Sequence, residues 1–149
     1  KAEPRLPSDA SWRLFQEDRR HEPGWISGRV SSSWLQFPVS FGKRPKLIIG
    51  FLKSHEGLGR VEIRLDGMDR GYIVDALLGK RASYTYSLVI SAALPVEPTS
   101  FDLNASLGGQ NLMVDTRKYG FGVLPLTTRM LQVRLVSGPK FKITFVVSC

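Results

Sequence analysis

Apolar residues in this chain recur at every second position, in short runs. In Arg60-Val61-Glu62-Ile63-Arg64-Leu65 they alternate strictly with charged residues, and Trp34 to Phe41 repeats the pattern. A period of two sends successive side chains to opposite faces of an extended chain, whereas an amphipathic helix needs apolar positions three and four apart. Further runs of the same kind cover 46–53, 72–77, 84–91, 130–136 and 141–147, and no stretch carries a helical repeat. Asp66-Gly67 closes the run ending at Leu65 as a turn signal, and Ser137-Gly138-Pro139 separates the last two runs by a hairpin-length connection. About eight short strands at roughly regular spacing predict an all-β fold, an antiparallel β-sandwich of jelly-roll-like topology.

A chain of 149 residues fits one domain, with residues 12–149 forming the sandwich and 1–11, which hold Pro4 and Pro7, reading as a linker or arm. At that length roughly 70% of the unfolded surface is buried, enough for a core without staples. The single Cys149 permits no internal disulfide. The start at Lys1 rather than Met reads as an excised or processed piece. Residues 93–110, with Pro95, Pro98, Gly108 and Gly109, read as a long loop holding one short strand around Phe101 and Leu103. Long loops on a rigid sandwich are a usual place for binding.

Catalytic signatures are sparse. His21 and His55 are the only histidines, too few for a three-histidine metal site, and one cysteine cannot build a Cys-rich zinc knuckle. There is no G-x-S-x-G elbow, phosphate-binding loop or H-E-x-x-H. The loop acids Asp66, Asp69 and Asp102 match no defined calcium loop. This reading assigns no cofactor, no metal and no catalytic residue, while leaving open a small hydrolase built on Ser54 or Ser83 with His55.

Lys and Arg number 21 against 13 Asp and Glu, a formal charge of +8 that favours polyanionic partners. The chain lacks the basic, aromatic-rich consensus of an RNA-recognition sheet and any helix to enter a groove, which argues against nucleic acid. No apolar run approaches the ~18 residues of a membrane span. The densest polar feature is Gly50 to Val61, a strand entering a Gly-bounded turn, in which His55, Glu56 and Arg60 are candidates for a charged cluster at the sandwich rim. The plainer alternative is a turn in which Glu56 bonds its own backbone and Gly57 and Gly59 supply positive φ. Alternation places Arg60 and Arg64 together on the solvent face, with Lys53 adding charge from a neighbouring strand. Trp25, after the Pro23-Gly24 turn, and Tyr119 are candidate stacking faces; Trp12, Trp34, Tyr72, Tyr84 and Tyr86 serve equally well as core. Asn104-Ala105-Ser106 is a glycosylation sequon in the long loop.

Gly24-Trp25-Ile26, then Leu35 to Val39, then the apolar strand from Pro45 into Ser54-His55-Glu56-Gly57-Leu58-Gly59, and finally Lys140-Phe141-Lys142-Ile143 to Cys149, form a pattern over most of 24–149. The pattern resembles a β-rich accessory domain of green-algal and land-plant cell-surface proteins, often adjoining SGNH (GDSL-like) esterase domains. That family's turn reads Ser-Tyr-Glu-x-Met-Gly; here His55 replaces the Tyr and Leu58 the Met. The resemblance implies an accessory domain without catalytic residues of its own, a natural domain end at Cys149, and an extracellular or secretory setting. Two functions follow as expectations. The first is a non-catalytic module docking onto anionic polysaccharide through His55, Glu56, Arg60, Arg64, Lys53, Trp25 and Tyr119. The second is a structural or protein-interaction sandwich, packed on a neighbouring catalytic domain or in an assembly that touches nucleic acid.

Overall fold

The computed structural model describes residues 3–17, 19, 22–69, 71–79, 81–95, 114–115 and 120–149. Among these described residues ten strands follow in order: β1 (Trp12–Phe15), β2 (Gly24–Ser27), β3 (Leu35–Ser40), β4 (Leu47–Ser54), β5 (Arg60–Leu65), β6 (Tyr72–Asp75), β7 (Ser83–Ile90), β8 (Val114–Asp115), β9 (Thr128–Ser137) and β10 (Phe141–Ser148). They form a six-stranded sheet, β1-β2-β10-β4-β7-β8, and a four-stranded sheet, β3-β9-β5-β6. Every pairing is antiparallel except the two-residue contact of β7 with β8. Among the described residues there is no helix, and the expected β-sandwich is what forms.

Alternation builds the core. Leu35, Phe37 and Val39 of β3, Leu47, Ile49 and Phe51 of β4, Val61, Ile63 and Leu65 of β5, and Leu131, Val133 and Leu135 of β9 are all buried. Phe51 stacks on Phe141 at 5.3 Å and meets Tyr86 at 5.2 Å, which ties β4, β7 and β10 together inside the sandwich. The pairs β2·β10, β3·β9, β4·β7 and β5·β6 nest one inside the next, as in a long hairpin folded over on itself.

The structure departs from the sequence reading at four points. First, β1 and β2 are strands, set by pairing onto β10 through registers such as Trp25 opposite Ile143 rather than by alternation of their own. Second, Ser137-Gly138-Pro139 is no hairpin turn: β9 and β10 lie in different sheets, and the connection crosses between them. Third, β10 slips register between Ile143 and Phe145, so that Val146 joins Phe141 and Ile143 in the core. Phe145 faces the other way and lays its ring against Gly50, where any Cβ would come within 2.2 Å. Fourth, Arg5 makes an isolated bridge to Gln36 on β3, and Ser11 donates its N–H to the Asp9 carboxylate, so residues 5–11 are tied to the sandwich. The strand expected around Phe101 and Leu103 lies outside the described residues.

Several connections meet at one end of the sandwich: 28–34, 55–59, 76–82 and 138–140. Here Gly59 donates its N–H to the Lys140 carbonyl at 2.8 Å and accepts from Ala76 N–H at 3.1 Å. A Cβ on Gly59 would lie 2.1 Å from the Ser137 carbonyl oxygen and 2.9 Å from Gly138 Cα. Gly59→Ala therefore forces backbone apart and is expected to lower stability by about 1–3 kcal/mol in urea unfolding. Gly28→Ala, whose Cβ meets nothing within 4 Å, is the matched control and should stay within about 0.5 kcal/mol.

Candidate functional site

The turn after β4 places His55 and Glu56 at this crowded end. His55 Nε2 lies 3.5 Å from Glu56 Oε1, the two side chains being 38% and 80% exposed, while His55 N–H donates to the Ala82 carbonyl at 3.2 Å. The Glu56 carboxylate thus turns to its neighbour's ring rather than to its own backbone. Gly57 has a φ of +69°, as expected, but Gly59 does not have positive φ; its small size serves the backbone contact described above. Lys140 reaches the same turn, its Cε lying 3.8 Å from where a Gly57 Cβ would sit.

The remaining site candidates separate. Arg60 donates Nε to Asp75 Oδ2 at 3.0 Å, across the β5–β6 pair. Arg64 lies four residues on, roughly 13 Å along the strand at ~3.3 Å per residue, so the two arginines form no single cluster. Lys53 corrects the sequence reading: it points inward, 5% exposed, with its ammonium 4.7 Å from the centre of the Tyr86 ring. Its parity with Ile49 and Phe51 is the cause, and the charge it carries is not on the outer surface. Trp25 is also turned inward, edge-on to Phe37 at 5.2 Å, because it sits within β2 rather than on a turn. Tyr119 and Asn104 lie outside the described residues. Ser54 and Ser83 face each other across β4 and β7, and His55 has no hydrogen bond to either.

Arg64 instead belongs to a network on the outer face of the four-stranded sheet. Its Nε donates to Gln132 Oε1 at 2.9 Å and its Nη1 to the Met68 carbonyl at 3.3 Å. Its guanidinium carbon lies 4.1 Å from the centre of the Trp34 ring, and that of Arg134 lies 4.5 Å from the same ring. Arg134 in turn donates Nε and Nη2 to Glu62 Oε2 at 2.9 and 2.6 Å, while Glu62 Oε1 accepts the buried Gly71 N–H at 3.1 Å. Arginine stacked on an aromatic face keeps its fork fixed in plane. Sequence reasoning named Arg64, put Glu62 on its face and Trp34 among the aromatics that could stack or fill the core, and missed Gln132 and Arg134. The signal was present, since Gln132 and Arg134 alternate with Leu131, Val133 and Leu135, but using it requires knowing that β9 lies beside β5.

At the opposite end of β5, Asp66 accepts Nε of Arg129 at 2.9 Å and the Met130 N–H at 2.8 Å. Burial pushes the Asp66 carboxyl up, yet the Met130 N–H and the Arg129 guanidinium together outweigh it and hold the group below the usual carboxylate range. Among the described residues no three His, Cys, Asp or Glu side chains gather as a metal site, and no helix is long and apolar enough to cross a membrane. No protein-family model, curated protein or solved structure matches the chain.

Glu62 is the most buried acid of the network, its side chain 12% exposed. Glu62→Ala is expected to cost about 1–3 kcal/mol by stranding Arg134 and the Gly71 N–H. Arg60→Ala, in an exposed pair, should cost under about 1 kcal/mol in the same unfolding assay. Because Asp66 ionises more readily folded than unfolded, its contribution is full above about pH 4 and fades as pH falls through the folded value. The urea midpoint should fall less steeply in acid for Asp66→Asn than for the parent, since an amide has no proton to take up.

Proposed function

We propose that this chain is a non-catalytic binding module that docks onto acidic carbohydrate through the outer face of the β3-β9-β5-β6 sheet. The observation that supports it is the convergence of Trp34, Arg64, Arg134 and Gln132 on that face. Hydrogen bonds occupy Nε and Nη1 of Arg64 and Nε and Nη2 of Arg134. Nη2 of Arg64 and Nη1 of Arg134 remain as donors, pre-oriented for a carboxylate or sulfate. In this reading the nested strand order is a jelly-roll, with β1 and β8 added at the edges of one sheet. Jelly-rolls occur in lectin and capsid domains alike, so the fold by itself selects neither function. The resemblance to algal and plant accessory domains fits a role beside a catalytic domain in a secreted or cell-surface protein.

A second reading has its own observation. Leu124 and Leu126 are 72% and 73% exposed, and Leu126 holds a φ of +59°, a conformation an ordinary side chain seldom adopts. Leu94, whose carbonyl accepts the Gly122 N–H, adds a third exposed apolar side chain at this end. Such a surface suits packing against another protein domain.

Sulfated and uronic-acid polymers arrayed at about 50 and 200 mM salt separate the readings, since screening at the higher salt removes weak surface attraction. Binding to particular polymers should survive the higher salt. Arg64→Ala should weaken it about tenfold, the loss of one charge-assisted contact, while Arg60→Ala leaves it unchanged. Loss of every signal at the higher salt overturns the carbohydrate reading in favour of the apolar end.

A further inference from the structure

On the other sheet, where β1 and β2 meet the connection into β10, the surface opens into a cleft of about 650 Å³. That size lies within the ~300–1,000 Å³ of small-molecule sites. Trp12 of β1 is buried in the core, so Arg13 and Phe15, at alternate parity, turn outward. Arg13 pairs across the sheet with Ile26, whose side chain joins Gly28 in lining the cleft, and Lys140 stands on the far wall. At ~4.8 Å per strand and ~3.3 Å per residue, Arg13 on β1 and Lys140 just before β10 are roughly 12 Å apart, two strand spacings across and two residues along, so their long side chains flank a space.

One wall is already satisfied. Asp9 accepts the Ser31 hydroxyl at 2.6 Å and the Ser11 N–H at 3.0 Å, and Arg29 Nη2 donates to the Asp9 carbonyl at 2.6 Å. The hydroxyls of Ser11 and Ser31 help hold the Asp9 carboxyl far below its ordinary range. Asp9 and Arg29 are engaged with each other and shape the cleft. By contrast, Arg13, Lys140 and Glu17 make no ion pair among the described residues, although all three line the space. Arg13 has its guanidinium 5.4 Å from the centre of the half-exposed Phe15 ring. Gly28 leaves open space above the backbone, since an added Cβ would meet no atom within 4 Å.

Two unpaired cations, one unpaired carboxylate and an aromatic ring call for an anion that also carries hydroxyl donors and an apolar face. We propose that this cleft binds a single uronic-acid sugar unit, as a site separate from the sheet face. Its carboxylate pairs with Arg13 and Lys140, its hydroxyls donate to Glu17, and its C–H face lies on Phe15 and Ile26. The proposal does not need the sheet-face reading to be correct.

Backbone amide NMR of the full chain, titrated with sodium glucuronate, tests it, with glucose and sodium acetate as the neutral and the hydroxyl-free controls. The expected result is saturable shifts at Arg13, Phe15, Gly28 and Lys140 with a dissociation constant of about 1 mM, and binding of either control at least about tenfold weaker. Gly28→Trp should fill the cleft and abolish the shifts while leaving polymer binding at Arg64 intact. Should that variant fail to fold, Arg13→Ala with Lys140→Ala, both at exposed positions, should abolish them equally. Absence of shifts at these four amides up to about 20 mM, equal response to acetate, or shifts persisting in a folded Gly28→Trp or in the double variant would overturn the proposal. None of these outcomes bears on the Arg64 face, whose failure is read separately from the polymer array.

Discussion

Two stretches of backbone touch at Gly59 and Gly138, and the sandwich depends on that contact. The connections β4–β5 and β9–β10 both cross from one sheet to the other at the same end, so they must pass side by side. Neither glycine has room for a Cβ toward the other: one placed on Gly138 would lie 2.5 Å from Gly59 Cα. The φ of +84° at Gly138 lets the chain turn there at no steric cost to a side chain. Hydrogen bonds from Gly59 N–H to Lys140 and from Ala76 N–H to Gly59 bind the neighbouring β6–β7 connection into the same junction. The consequence reaches both sheets. The three residues between β9 and β10 deliver one strand to the interior of the four-stranded sheet and the next to the interior of the six-stranded sheet.

That junction also explains what the sequence could and could not disclose. Strict alternation in β3, β5 and β9 announced both the strand and its buried face, because parity is a local property. Pairing is not local. The short Ser137-Gly138-Pro139 connection reads as a hairpin by length alone, and only the crowding at Gly59 shows that it crosses. The slip at Thr144 is equally silent in sequence, since Phe145 and Val146 are both apolar and either suits the core. For the site, parity correctly put Arg60, Glu62 and Arg64 on one face, whereas Lys53, read as surface charge, shares the inward parity of Ile49 and Phe51. It said nothing about which residues lie beside them. Trp34 and Arg134 come to Arg64 from the approach to β3 and from β9, far away along the chain.

Net charge alone is a poor guide to where an anion binds, because four of the located arginines are already answered by carboxylates. Arg60 faces Asp75, Arg129 faces Asp66, Arg134 faces Glu62 and Arg29 faces Asp9. The exposed ones among these pairs add little stability, but all four consume donors and acceptors that a ligand would otherwise use. What distinguishes a surface is the donor left over after these pairings, held in place by a ring or a neighbouring amide. Nη2 of Arg64 and Nη1 of Arg134 meet that description on one sheet, and Arg13 beside Phe15 meets it on the other.

The two surfaces are close along the chain. Gly28 lines the cleft and Trp34 lies in the arginine network, six residues later, a separation of at most about 20 Å. They lie on opposite sheets, joined by the 28–34 connection. On the proposed reading a single sugar unit would fill the cleft alone, and an acidic polymer held at the arginine face would not require the cleft. A monosaccharide would therefore report on the chemistry of the cleft, and a polymer on that of the arginine face.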